Sequence, residues 1–158
     1  MSDPGRRYWL MKSEPSDYSL DDLERDGSTH WDGVRNFKAR NLMKEMAIGD
    51  GVLFYHSNCR PPHIAGVARV CRLAYPDHTQ FDPESKYFAP RATKEKPWWY
   101  MVDIEFVSRF SRPLPLPRLR TLPELAAMAL LKRGQRLSVQ PVSPEEWAFL
   151  IDLGNRGG

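Results

Sequence analysis

Cysteine is scarce in this chain: Cys59 and Cys71 are the two among 158 residues. Two thiols cannot build the disulfide framework of a small secreted scaffold, and their scarcity fits an intracellular chain that keeps them reduced. Long hydrophobic runs are missing as well. No stretch approaches the ~20 apolar residues that a membrane span requires, and the polar start Met1 to Arg7 has no apolar signal core behind it. The expectation is a soluble protein without a membrane partner, cytoplasmic with access to a nucleoid, or nuclear in a eukaryote. The ten glycines are scattered, which excludes a phosphate loop or a dinucleotide fingerprint. A Gly-x-Ser-x-Gly elbow is absent too, so nucleophilic catalysis has no motif to stand on. Neither sign of charge dominates: the formal net charge is +3. That permits help to phosphate binding without demanding it.

What is present suits one compact domain, since 41% hydrophobic residues in a chain of this length can bury a core unaided. The expected bounds are 8–153, with flexible tails at 1–7 and 154–158. Tyr8 to Lys12 reads as a first strand, and Ser19-Leu-Asp-Asp-Leu-Glu24 as a capped helix stopping at Gly27. Arg35 to Met46 reads as an amphipathic helix, with Leu42, Met43 and Met46 on one side and Asn36, Arg40 and Lys44 on another. Gly51 to Ser57 and Ile64 to Leu73 read as neighbouring antiparallel strands. Ala74 to Pro97 is too long for an ordinary loop, and a segment of that kind is expected to help wall a pocket. Trp98 to Val107 reads as a strand, prolines 113, 115 and 117 as an extended connection, Leu122 to Leu131 as a helix, and Arg136 to Val139 as a short strand. Ser143 to Ile151 carries a capping box with proline at its first helical position. Strands interspersed with short helices predict an α+β domain around a curved, mostly antiparallel sheet or small barrel.

Three groups of residues could carry chemistry. Trp31, Trp98, Trp99 and Tyr100 form an aromatic set; such rings serve as base-stacking platforms, worth about 1–3 kcal/mol per base, or as ordinary packing. Lys12, Arg35, Lys38, Arg40, Lys44, Arg133 and Arg136 form a basic set that could hold a phosphate backbone or simply face water. His56, Cys59, His63 and Cys71 could ligate zinc, but their spacing lacks the tight pairs that zinc sites prefer, and no metal is expected. Isolated carboxylates such as Glu14, Asp32 and Asp103 are a weak signal for acid–base work. An enzyme using His56 or Glu14, or a pocket for a small ligand or a protein, stays open at this level.

Several motifs in order narrow the choice: Lys12-Ser-Glu-Pro15, Trp31-Asp-Gly-Val-Arg-Asn36, Ala39-Arg-Asn41, Phe54-Tyr-His-Ser-Asn58, Ile64-Ala-Gly66, Ala74-Tyr-Pro-Asp77, Met101-Val-Asp103 and Arg136-Leu-Ser-Val-Gln-Pro141. From about Tyr8 to Leu153 the chain resembles the EVE domain family. The resemblance implies a PUA-like fold, related to the YTH domain with its aromatic cage for N6-methyladenine, and no enzymatic activity or cofactor. It implies a monomeric reader of DNA or RNA that takes a flipped modified base, such as methylated or hydroxymethylated cytosine or methylated adenine. By motif, the base pocket then comprises Lys12, Ser13, Glu14, Trp31, Val34, Arg35, Asn36, Tyr55, His56, Ser57, Trp99, Arg136, Leu137 and Ser138, with Trp31 as stacking platform. Lys38, Arg40 and Lys44 would meet phosphates. The chain departs from the family pattern around Tyr87-Phe-Ala-Pro90 and Trp98, in the outer wall of that pocket.

Overall fold

A strand buried on both sides reads as a nearly continuous apolar run, and Gly51–His56 (β3) is such a strand, closed by the hydrogen-bonded His56, with all six residues buried. It sits inside an open six-stranded sheet of a computed structural model that describes residues 5–134 and 136–156. On one side β3 pairs in parallel with Tyr8–Ser13 (β1), which in turn pairs antiparallel with Val139–Val142 (β6). On the other it pairs antiparallel with His63–Pro76 (β4), then β4 with Tyr100–Pro115 (β5), and β5 with the three-residue edge strand Ser28–His30 (β2). The fold is thus α+β, mostly antiparallel with one parallel pair, and its sheet stays open, in line with the PUA-like fold that the resemblance implies.

The period of two along each strand divides the core between the faces. Trp9, Met11, Val52 and Phe54 enter one cluster, joined by Leu23, Met43, Ile104 and Trp31. Their neighbours Tyr8, Leu10, Leu53 and Tyr55 enter a second, joined by Phe110, Met128 and Leu150. Burying each such large side chain stabilises by roughly 1.5–3 kcal/mol.

The helices begin where a side chain can satisfy their free N–H groups. Ser19 caps Leu20–Asp26 (α1) in a reciprocal capping box with Asp22, and Gly27, at φ 82°, ends it. Asn36 caps Phe37–Glu45 (α2), whose Ala39 and Met43, one turn apart, face the first core. The short Leu116–Leu119 (α3) follows β5, and Pro144–Asn155 (α4) opens with the Ser143–Glu146 capping box. α4 runs to Asn155, two residues beyond the expected end of the ordered domain at 153.

Four expectations need correction. Leu122 to Leu131 is not one helix but two 3₁₀ turns, Pro123–Leu125 and Ala129–Leu131. Leu125, Met128 and Leu130 are all buried, and a continuous helix would turn Leu130 about 140° away from Leu125. β5 runs through Pro113 and Pro115, because beyond Phe106 it has no β2 neighbour and edges tolerate proline. The last strand begins at Val139 rather than ending there, and β4 extends to Pro76.

Candidate functional site

Parallel pairing puts the C-terminal ends of β1 and β3 side by side, and the site grows from those ends. The pairing continues past the strands: the Ser57 N–H donates to the Ser13 carbonyl at 2.9 Å, and the Lys12 N–H to the Ser138 carbonyl at 2.8 Å. Lys12, Ser13 and Glu14 therefore stand next to Ser57, Asn58 and Ser138. Asn58 takes a left-handed conformation, φ 53°, a position asparagine tolerates, and its amide donates to Glu14 Oε1 at 3.2 Å. These residues, with Arg136, form one wall of an open cavity of about 1110 Å³.

The turn from Trp31 to Arg35 forms the facing wall. The Trp31 N–H donates to the Val102 carbonyl at 2.8 Å, and the indole packs edge-on to Phe54 with centroids 5.5 Å apart. Trp31 keeps 8% of its surface exposed, and it lines the cavity. Gly33 sits at φ 82°, and a Cβ there would lie 2.7 Å from the Tyr87 ring, so the turn requires glycine on both counts.

Asp77 fastens this turn to the long loop. Its fully enclosed carboxylate accepts from the Gly33 N–H at 2.8 Å, from Arg35 Nη1 at 3.1 Å, and from the Thr79 N–H at 2.8 Å. Burial pushes the Asp77 carboxyl up, but hydrogen bonds from Thr79, Gly33 and Arg35 together outweigh it and hold it below the usual carboxylate range. Arg35 also donates to the Tyr87 carbonyl at 2.8 Å and to Thr79 Oγ1 at 3.0 Å, and its guanidinium lies 5.3 Å from the Tyr87 ring centroid and 5.4 Å from that of Trp99. Burial pulls the Lys12 ammonium below its ordinary pKa.

Nine of the expected pocket residues meet in the cavity: Lys12, Ser13, Glu14, Trp31, Val34, Arg35, Ser57, Arg136 and Ser138. The other five stand behind or away from it. Asn36 commits its side-chain oxygen to the Ala39 N–H as helix cap. Tyr55 points into the second core, as the alternation along β3 dictates, and burial pushes its hydroxyl up to about 12. Trp99 is buried and stacked on Phe37 at 4.7 Å, and Leu137 packs on the first core.

His56 is held inside a relay. Its Nε2 accepts from the Leu20 N–H at 3.0 Å, so its Nδ1 carries the proton and donates to His63 Nε2 at 2.9 Å; His63 Nδ1 then donates to the Pro61 carbonyl at 2.9 Å. Burial, with the neighbouring His63, lowers His56 to about 4. The Cys59 thiol faces the carbonyls of His56 and Pro61.

On α2, Lys38 is exposed, Arg40 donates to the Trp98 carbonyl at 2.8 Å and lies 4.8 Å from the Phe37 ring, and Lys44 lies 4.7 Å from the Tyr100 ring. A basic face thus runs beside exposed aromatic surface, with Phe37 52% and Trp98 37% exposed. Sequence reasoning missed Asp17, Tyr18, Thr29 and His30 among the lining residues; Asp32 was named as an isolated carboxylate and within a motif, not as a pocket residue. Asn58 and Gly33 lay within quoted motifs, and Tyr87 within the loop expected to wall a pocket.

The fold and this cavity define a PUA-like α+β domain with a wide site, mixed aromatic and basic, at the ends of two parallel strands. The EVE domain profile matches residues 7–153, and the chain belongs to the EVE domain family. It is 40% identical to human thymocyte nuclear protein 1 over an alignment 165 residues long, gaps included, that covers 92% of this chain and 73% of the human protein. It superposes on a hypothetical protein from Leishmania major with TM-score 0.91 and 50% identity, covering 96% of each chain. It superposes with TM-score 0.88 and 40% identity on human THYN1 protein, solved in complex with 5-methylcytosine containing DNA, covering 94% of this chain and 97% of that one. Among the described residues, no helix is long and apolar enough to cross a membrane.

Proposed function

We propose that this chain is a non-catalytic, monomeric reader of modified bases in nucleic acid, with 5-methylcytosine in DNA as the first ligand to test. The observation that carries this reading is the match to a relative solved with 5-methylcytosine containing DNA, over 94% of this chain. The cavity supports it. At about 1110 Å³ it lies just above the usual range of ligand-pocket sizes and has room for an extruded nucleotide. Trp31 stacks on the base, Ser57, Asn58 and Ser138 read its polar edge, and Arg136 with Lys12 meets the adjoining phosphate. Arg35 braces the facing wall from within the cavity, Asn36, Tyr55, His56, Trp99 and Leu137 hold the walls from behind, and Lys38, Arg40 and Lys44 follow the backbone along α2. Glu14 is engaged by Asn58, and both ring nitrogens of His56 are hydrogen-bonded within the fold, an arrangement suited to binding rather than turnover.

One buried methyl contributes roughly 1 kcal/mol, so methylated and unmethylated sites should differ by about tenfold or less. Fluorescence anisotropy against matched single- and double-stranded DNA and RNA, with cytosine or 5-methylcytosine, tests this. The expected result is tighter binding of a methylated strand, lost in Trp31→Ala and kept in Trp31→Phe. Because Trp31 belongs to the core, exposed Arg136→Ala provides a second arm in which binding falls and the fold persists. Equal affinity for every strand, unchanged in both Ala variants, would sink the proposal.

A further inference from the structure

The sequence offered four scattered metal-ligand candidates that do not form a site, while the fold brings together a different three. His30 ends β2, Asp32 follows two residues later, and His78 opens the 3₁₀ turn His78–Phe81. Their ligand atoms all lie within 4.8 Å of one another. His30 Nε2 and Asp32 Oδ2 are 3.7 Å apart, and the two imidazoles meet edge to face with centroids at 5.1 Å. The backbones that carry them are pinned. Trp31, between His30 and Asp32, donates its N–H to Val102, and Asp77, next to His78, accepts from Gly33, next to Asp32. The clamp that joins the turn to the loop therefore also joins the ligands.

We infer that His30, Asp32 and His78 form a binding site for a zinc-class divalent cation at the rim of the cavity, and that a phosphate oxygen of the bound strand completes its coordination. A tetrahedral ion with bonds of about 2.0–2.2 Å spaces its ligand atoms by roughly 3.3–3.5 Å. Rotations moving these atoms by about an ångström bring them to that spacing, and the side chains of His30 and Asp32 are 49% and 35% exposed, which leaves them room to turn. Two imidazoles and one carboxylate favour zinc, nickel or copper over magnesium or calcium. Three protein ligands leave a position open, as in zinc sites that act on a substrate rather than merely hold a fold. His30 and Asp32 also line the cavity. An ion there contributes two positive charges against the single negative charge of Asp32, where a phosphate would arrive. The phosphate part rests on the reader function proposed above; the metal site does not.

Calorimetric titration of the untagged, chelator-stripped full chain with zinc chloride tests the site without nucleic acid, with magnesium chloride as control. The expected result is saturable binding of one zinc per chain, weakened at least about tenfold in His30→Ala, Asp32→Asn and His78→Ala, with circular dichroism unchanged. Cobalt substitution should give a visible spectrum without the charge-transfer band of sulfur ligation. Absence of a saturable site, affinity unmoved by His78→Ala, or a sulfur band lost in Cys59→Ser would overturn the assignment. In anisotropy, zinc should tighten oligonucleotide binding in the parent chain and have no effect in His78→Ala. Equal affinity with zinc and with chelator would overturn the shared phosphate ligand. Failure of oligonucleotides to bind in either condition would count against the reader function, while the zinc titration stands by itself.

Discussion

Asp77→Ala removes a carboxylate that ties the Trp31–Arg35 turn to the loop, and its effect can be worked from the contacts. Asp77 is fully enclosed, and the Arg35 side chain is 21% exposed. Truncating one partner of a buried ion pair costs about 3–5 kcal/mol, because the other charge is left without compensation. Arg35 keeps the Tyr87 carbonyl and Thr79 Oγ1, so the lower end applies, about 3 kcal/mol. For a domain of this size that corresponds to a fall in Tm of about 6–12 °C. Urea unfolding followed by tryptophan fluorescence and circular dichroism reads the loss. Oligonucleotide binding, measured where the variant is still folded, should fall as well, since the Gly33 N–H and the Arg35 guanidinium lose the carboxylate that fixes the turn. Arg35→Ala and the double variant complete a cycle in which the two losses should fail to add, with a coupling of about 1–3 kcal/mol. A loss under about 1 kcal/mol, or losses that add within about 0.5 kcal/mol, would refute the view that this clamp shapes the site.

Acid should weaken the fold through His56, held near 4 in the folded chain against about 6.5 unfolded. Its contribution is fully present above about pH 6.5 and is lost as pH falls toward 4, by up to about 3 kcal/mol; Asp77, held low, adds a further loss below its ordinary range. Denaturant titrations from pH 7 to 4 should be steeper for the parent than for His56→Gln, and identical slopes would remove His56 as the cause. Gly33→Ala should destabilise more than Gly27→Ala: both have φ 82°, and only Gly33 has the Tyr87 ring within 4 Å of a new Cβ. The shared strain is about 1–2 kcal/mol, and equal losses in thermal melts would deny the ring a part. Lys38→Ala with Lys44→Ala should flatten the slope of log affinity against log salt by about 1.8 on duplex DNA; an unchanged slope would take α2 off the backbone.

The parts of the fold legible in the sequence were those decided locally. Ser19 with Asp22 and Ser143 with Glu146 announced their helices because a capping box lies within four residues; the basic helix was announced by its apolar side, while Asn36, expected on its basic stripe, is its cap. β2 was not legible, since three polar residues, two exposed and one half-buried, carry no apolar period and exist as a strand only because β5 lies beside them. The lining of the cavity was legible where a motif itself reaches it, as at Lys12, Trp31 and Ser57. It misled at Tyr55, where a one-residue step along β3 reverses the face, and at Asn36, where capping claims the amide. The grouping of His30 with His78 depends on a clamp between distant segments, which no local pattern announces.

The cavity draws its walls from residues as far apart as Lys12 and Ser138, joined by the backbone bond between them. Such a site does not exist during synthesis until Ser138 has emerged, so a chain made or opened short of that point has nothing with which to hold its ligand. Occupancy then protects the complete fold alone: ligand at a hundred times its Kd adds about 2.7 kcal/mol to that state and nothing to any opening that frees β6. In hydrogen exchange, binding at one end of the sheet should slow the amides of the last strand as strongly as those of the first.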